Sequence, residues 1–216
     1  KKLYIISYDH NLRKESIKET NHVKKISRKL GWKHKTLKWK NPAKKNILEN
    51  ARNERYVAIS KFCKKKKIDT LLLGHHLDDL IETFSIRVLK KSGMDGLCPM
   101  TSQRKLFDLN LIRPFLKVSK NSIYSYANFY KIKFYEDPTN KNDIFLRTRI
   151  RLFLKKNQTL KNNLSKSLDL FCRLKKYFQA HVIDFLKENV RIENEGYIIL
   201  NNENLSKLPE FLNLKI

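Results

Sequence analysis

The chain has 216 residues, with 47 Lys+Arg against 21 Asp+Glu and a formal charge of +26, which points to a polyanionic partner. Hydrophobic content of 41% with 12 Phe and 9 Tyr argues against wholesale disorder, and the length suits one α/β domain plus a small appendage. Cys63, Cys98 and Cys172 are odd in number and far apart, which fits a reducing cytoplasm and not a disulfide framework or a cysteine-rich zinc or iron–sulfur site; no apolar run reaches membrane-spanning length, so no membrane partner is expected.

The basic residues divide into 35 Lys and 12 Arg, and Asn and Ile abound, as an AT-rich genome would produce unaided. Charge therefore says nucleic acid and nothing sharper. Leu3–Tyr8 reads as a first strand and not as a signal peptide, with Asp9-His10-Asn11-Leu12-Arg13 as the polar loop at its end. A core strand at the very start, with no initiator Met, leads us to expect that the beginning of the natural protein is missing. A helix follows from about Ser16 to Leu30, stopped by Gly31. His34–Trp39 is a second strand, Asn41-Pro42 a break, and a long helix runs from about Ile47 to Lys65. That helix carries Glu49, Arg52 and Arg55-Tyr56 on neighbouring turns and ends in Lys64–Lys67, a solvated helix end.

Leu71–Leu73 is too short for a core helix and lacks polar alternation, so it reads as a central strand buried on both faces. Gly74 then turns the backbone. Leu77, Leu80, Ile81, Phe84 and Val88 recur at helical spacing, which predicts a helix from Leu77 to about Lys91. His75, His76, Asp78 and Asp79 thereby fall at the carboxyl end of a strand and in a helix's first turn, where open α/β sheets bind ligands. Asp79, Glu82 and Thr83 share the polar face. Two Asp in a first turn also cap orphan amides with no chemistry required. A metal site from His75 and Asp79 needs more ligands than the local sequence supplies.

Further on, Ser92–Leu97 with its two glycines marks a tight turn, and Phe107–Arg113 a strand ending at Pro114. Ser119 N-caps a helix to about Tyr130, and Lys133–Tyr135 is a short strand before the turn-forming loop Glu136-Asp137-Pro138-Thr139-Asn140. Phe145–Leu154 is a basic amphipathic helix whose Arg147, Arg149 and Arg151 cannot all lie on one face. The alternation of strands and helices is that of a parallel sheet covered by helices. Past Asn157 the pattern changes to a helix from about Leu160 to Glu188, a hairpin of Val190–Ile192 with Tyr197–Leu200, and a short final helix. The expected division is an α/β domain over 1–157 and a mostly helical region over 158–216, the start of a second domain.

Six motifs occur in one order: Asp9-His10-x-Leu12-Arg13, Glu49-x-Ala51-Arg52-x-x-Arg55-Tyr56, and Gly74-His75-His76-Leu77-Asp78-Asp79-x-x-Glu82-Thr83. Then come Ser92-Gly93-x-x-Gly96-Leu97-x-x-Met100 with Ile112-Arg113-Pro114, Glu136-Asp137-Pro138-Thr139-Asn140, and Arg147-x-Arg149-x-Arg151. Together they resemble the tRNA(Ile)-lysidine synthetase family over about residues 3–155. The resemblance implies an N-type ATP pyrophosphatase (PP-loop) fold and a cytoplasmic ligase that uses ATP and Mg²⁺. Members adenylate the C2 oxygen of the wobble cytidine in a CAU-anticodon isoleucine tRNA, and the amine of free L-lysine then displaces AMP to give lysidine. A homodimer is left open.

On that likeness Asp79 holds Mg²⁺ or orients the lysine ammonium, and His75, His76 and Gly74 meet a phosphate at the helix start. An arginine of the Phe145–Leu154 helix, from among Arg147, Arg149 and Arg151, neutralises charge on the leaving phosphates. Arg52, Arg55 and Glu82 contact substrate, and Glu136 and Asp137 receive the cationic lysine, although that loop can equally be a turn hydrogen-bonded to itself. The family's glycine-rich phosphate loop, which belongs just before a strand like Leu3–Tyr8, has no counterpart here. Truncation is the expected reason, and the chain alone is then inactive. Two other readings are a tRNA thiolase of the same group and a catalytically dead, basic RNA-binding remnant.

Overall fold

The computed structural model describes residues 3–10, 16–39, 47–135, 145–200 and 204. They group into two units, one of Lys1–Gly74, Ser102–Pro114 and Ser125–Asp137, the other of His75–Thr101, Phe115–Tyr124 and Pro138–Ile216.

In the first unit β1 (Tyr4–Asp9) runs parallel to β2 (Lys33–Lys38), Tyr4 opposite Lys33 and Asp9 opposite Lys38, with α1 (Ser16–Lys29) between them in sequence. The next helix, α2 (Ile47–Lys65), has the bounds that its apolar spacing predicts. Its Tyr56, Ile59 and Cys63 form one core with Leu109 and Leu111, against which Ile6, Leu37, Leu71 and Leu73 are packed. One apolar helix stripe thus covers strands from two separate ladders. The second ladder has the order β3-β5-β4: β3 (Thr70–Leu72) is parallel to β5 (Leu109–Ile112), and β4 (Gln103–Leu106) is antiparallel to it.

The expectation of a doubly buried central strand at Leu71–Leu73 is corrected here. Among the described residues β3 pairs with β5 alone and ends the ladder, and Leu72 is 58% exposed. Leu71 and Leu73 turn to the core, while Leu72 faces the other way with nothing to cover it. The strand expected over Phe107–Arg113 is β5, shorter at both ends, and β4 before it is not foreseen by the sequence. Phe107 sits at φ +52° in the two-residue turn of a β4–β5 hairpin, with Leu106 opposite Leu109. Lys133–Tyr135 forms no strand.

The second unit holds α3 (Leu77–Leu89), the single turn α4 (Met94–Leu97), α6 (Leu146–Lys156) and α7 (Gln158–Asn189). A helical turn N-capped by Gly93 stands where the sequence reads as a plain tight turn. Ile81, Ile150 and Leu154 form the core, with Leu77, Ile86 and Leu164 against it. The hairpin is found as expected, β6 (Val190–Ile192) antiparallel to β7 (Ile198–Leu200), with Gly196 at φ +89° where a Cβ would be strained. Between the units in sequence, α5 (Lys120–Phe129) starts where Ser119 Oγ accepts from Ser122 N at 3.0 Å, the cap that the sequence predicts. The expected break at Asn41-Pro42 and the final short helix lie outside the described residues. Among those residues, no helix is long and apolar enough to cross a membrane. The α/β fold class stands.

Candidate functional site

In the second unit the start of α3 is closed by its own side chains. His76 is the N-cap, with extended φ −124° and ψ 177°. Asp79 N donates to His76 Nδ1 at 3.3 Å, and His76 N donates to Asp79 Oδ2 at 3.2 Å. The two residues thus satisfy reciprocally two amides that the helix leaves orphaned. The other oxygen of Asp79 accepts from Arg147 Nη2 at 3.0 Å.

One turn along, Glu82 is 3% exposed and takes three hydrogen bonds. They come from Arg147 Nε at 2.8 Å and from Arg151 Nε at 2.6 Å and Nη2 at 3.1 Å. Arg147 and Arg151 stand four residues apart on one face of α6, so both reach α3. The Glu82 hydrogen bond outweighs burial and raises the pKa of Arg151 above its ordinary value. Arg149 is exposed on another face and makes none of these bonds.

Asp78 leaves α3 on a different side. Its carboxylate accepts from Lys120 N at 2.7 Å and pairs with the Lys161 ammonium. Burial alone would push its pKa up. The Lys161 hydrogen bond, the Lys120 amide and the charges of Lys161 and His76 together outweigh burial and hold it below the usual carboxylate range. Asp78, Asp79 and Glu82 therefore tie α3 to α5, α6 and α7 with this chain's own donors. His75 is partly buried beside the cap. A Cβ at Gly74 would meet nothing within 4 Å, so no close approach demands glycine there. Glu136 and Asp137 lie outside the described residues.

In the first unit a second group collects at the carboxyl end of β1, and two of its buried polar atoms have no hydrogen-bond partner among the described residues. Asp9 is 3% exposed and accepts from Ser16 Oγ at 2.8 Å, where α1 begins. His10 packs edge-on to Tyr8 and Trp39, and its buried Nδ1 has no hydrogen-bond partner among the described residues. Burial first, then the charge of Arg55, lowers the His10 pKa despite Asp9, which favours the neutral ring. On α2 the guanidiniums of Arg52 and Arg55 stand 5.4 and 5.3 Å from the Tyr56 ring centre.

The Tyr56 hydroxyl is buried and also lacks a hydrogen-bond partner among the described residues. Arg113, following β5, is 6% exposed, and burial with the charges of Arg104 and Arg52 lowers its pKa although Tyr56 acts the other way. Several cations thus crowd one buried, unpaired hydroxyl. That combination fits an anionic, hydrogen-bonding ligand such as a nucleotide phosphate, since an unsatisfied buried polar group is otherwise costly.

The predicted residues therefore fall into two groups. His75, His76, Asp79, Glu82, Arg147 and Arg151 lie in the second unit, and Arg52, Arg55 and Gly74 in the first. Asp9, His10, Tyr56 and Arg113 were passed over as site residues, although each stood in a motif. Asp9, Tyr56 and Arg113 are marked by burial, and His10 and Tyr56 by a hydrogen bond left unmade among the described residues, which a sequence does not display. Among the described residues no group of three or more His, Cys, Asp or Glu could hold a metal ion.

Comparison with known proteins adds identity to this geometry. A family model described as a PP-loop domain matches residues 1–158. The tRNA(Ile)-lysidine synthase of the Wolbachia of Brugia malayi is 31% identical over 98% of this chain and 50% of its own length. That of Orientia tsutsugamushi is 29% identical over 92% of this chain and 47% of its own. The chain spans about half the length of the curated relatives it matches. Among solved structures, the U34-tRNA thiolase NcsA of Methanococcus maripaludis with its 4Fe–4S cluster superposes with TM-score 0.65. The match covers 80% of this chain and 61% of the thiolase at 15% identity, a likeness of fold. The strand and helix order, the cationic group at the end of β1 and the family match agree: this chain belongs to the PP-loop family.

Proposed function

We propose that the protein carrying this chain modifies tRNA with ATP, joining lysine to the wobble cytidine of a CAU-anticodon isoleucine tRNA to give lysidine. The observation that carries this reading is the 31% identity with a tRNA(Ile)-lysidine synthase over 98% of the chain. The chemistry of the first unit supports it. Arg52, Arg55 and Arg113 supply the positive potential that nucleotide phosphates need, and Tyr56 Oη and His10 Nδ1 offer two unused hydrogen-bonding groups.

ATP would supply the adenylyl group that turns the cytidine C2 oxygen into a leaving group for the lysine amine. Mg²⁺ would travel on the ATP phosphates, with their oxygens and water as most of its ligands. Both oxygens of Asp79 are engaged by His76 and Arg147, so its proposed part is to hold Arg147 and the start of α3 in place. Glu136 and Asp137 would receive the lysine ammonium.

The test is nucleoside mass spectrometry. The full-length natural protein is incubated with CAU-anticodon tRNA, ATP, Mg²⁺ and lysine. Lysidine is the expected product; 2-thiocytidine or unchanged cytidine would overturn the reading.

A further inference from the structure

Among the exposed surfaces, the end of α5 is unusual in composition. Tyr126 is 61% exposed, Phe129 79%, Tyr130 58%, Phe134 46% and Tyr135 59%, so five aromatic rings reach solvent within ten residues. Residues 120–135 contain Lys120, Lys131 and Lys133 and no acid at all.

The rings are held and not scattered. Tyr126 and Tyr130 lie 4.5 Å apart between centres, and Phe129 meets Tyr130 edge-on at 5.0 Å. The helix closes with Ile132 N donating to Ala127 O and Lys131 N to Asn128 O, while Lys131 adopts φ +52°. That closing motif fixes the path of the chain beyond the helix. Tyr135 is then pinned edge-on against His22 of α1 at 5.1 Å, and His22 Nε2 donates to Lys133 O at 2.9 Å. Lys18 and Lys25, one turn either side of His22, are exposed on that face of α1, which also carries Glu19.

We propose that this aromatic patch is a stacking platform for unpaired bases of an RNA loop. Its lysines and those of α1 meet the flanking phosphates. The inference rests on the tRNA reading above and names the part of the tRNA engaged. Charge complementarity selects the occupant. An apolar protein partner needs no lysines in excess of acids, here Lys18, Lys25, Lys131 and Lys133 against Glu19, and a duplex hides the base faces that rings stack on. The rings are already held, so little ordering entropy is lost when a base stacks.

The experiment uses the full-length natural protein and a variant with Tyr126→Ala, Phe129→Ala and Tyr130→Ala together. These positions are exposed, so the fold should survive, and circular dichroism checks that it does. Fluorescence anisotropy measures binding to labelled oligouridylate and to a blunt RNA duplex of equal length. The expected result is about a tenfold or greater loss for the single strand, with duplex binding unchanged. Lys131→Ala and Lys133→Ala are expected to weaken both probes and to flatten the salt dependence.

Equal losses on both probes, or none, would overturn the proposal. So would a shift in sedimentation of the triple variant at unchanged RNA affinity, which would mark the patch as an interface between copies. Failure of the tRNA reading looks different: no RNA binding at low salt by the wild-type protein.

Discussion

The two groups of functional-looking residues differ in whether their polar atoms are used. At the start of α3 three carboxylates are all met by donors of the same unit: Asp78 by Lys161 and the Lys120 amide, Asp79 by Arg147 and the cap, Glu82 by Arg147 and Arg151. At the end of β1 cations gather round the Tyr56 ring, and its buried hydroxyl and the His10 Nδ1 have no hydrogen-bond partner among the described residues. A closed network holds helices together. An open one keeps capacity for a ligand. A dense motif in the sequence is thus compatible with a bracing role, and the ligand-ready atoms lie in a quieter one.

If the α3 network braces the second unit, removing its central acid should cost most. Glu82→Gln leaves Arg147 and Arg151 facing a neutral amide, with Glu82 almost wholly buried and Arg151 partly so. The expected loss is about 3 kcal/mol, the low end for a broken buried pair because Arg147 keeps access to water. Urea unfolding measures it. An unchanged midpoint would move Glu82 from brace to substrate contact.

Asp78→Asn comes next, at about 2 kcal/mol, since the amide can still accept from Lys120 N but no longer pairs with Lys161. It carries a pH signature as well. The folded carboxyl titrates below its unfolded value, so the native state binds fewer protons as the unfolded chain begins to take them up. This contribution is complete above about pH 4 and is lost as pH falls through the lower folded value. Stability measured from pH 6 down to pH 2 should drop less steeply in the Asn variant than in the wild type.

The smallest effect lies outside both groups and serves as a control. Lys67 after α2 and Lys91 after α3 occupy helix-closing positions at φ +54° and +52°. Replacing either with Gly relieves a left-handed side chain, less the entropy that Gly adds to the unfolded state, a net gain of about 0.5 kcal/mol. The gain should be alike in the two units and should leave ligand binding untouched.

Much of the architecture was legible because it follows from short-range pattern. The bounds of α2, the Ser119 cap and the hairpin around Gly196 need only periodicity, a hydroxyl and a residue that tolerates positive φ. The failures needed partners distant in sequence. Leu71–Leu73 reads as buried because nothing local says that β3 has a neighbour on one side only. The β4–β5 hairpin turns on Phe107, a residue that signals no turn, so the expected strand starts two residues early and β4 goes unread. Within the site, the spacing shows that Arg147, Arg149 and Arg151 cannot share one face, but not which of them turn to α3. Glu82, the partner of Arg147 and Arg151, lies 65 and 69 residues away, and no spacing reveals that. Tyr56 stood in a motif without its hydroxyl announcing itself, because an unmade hydrogen bond exists only once the core has closed.

Tyr56→Phe tests the open group most directly. The hydroxyl has no hydrogen-bond partner among the described residues, so its removal should leave unfolding stability unchanged or slightly raised. If that hydroxyl waits for a nucleotide, ATP affinity of the full-length natural protein, measured by isothermal titration calorimetry, should fall about tenfold in the same variant. Stability held with affinity lost is the predicted result. Wild-type ATP affinity in a normally stable Tyr56→Phe protein would contradict the assignment of the ligand to the end of β1.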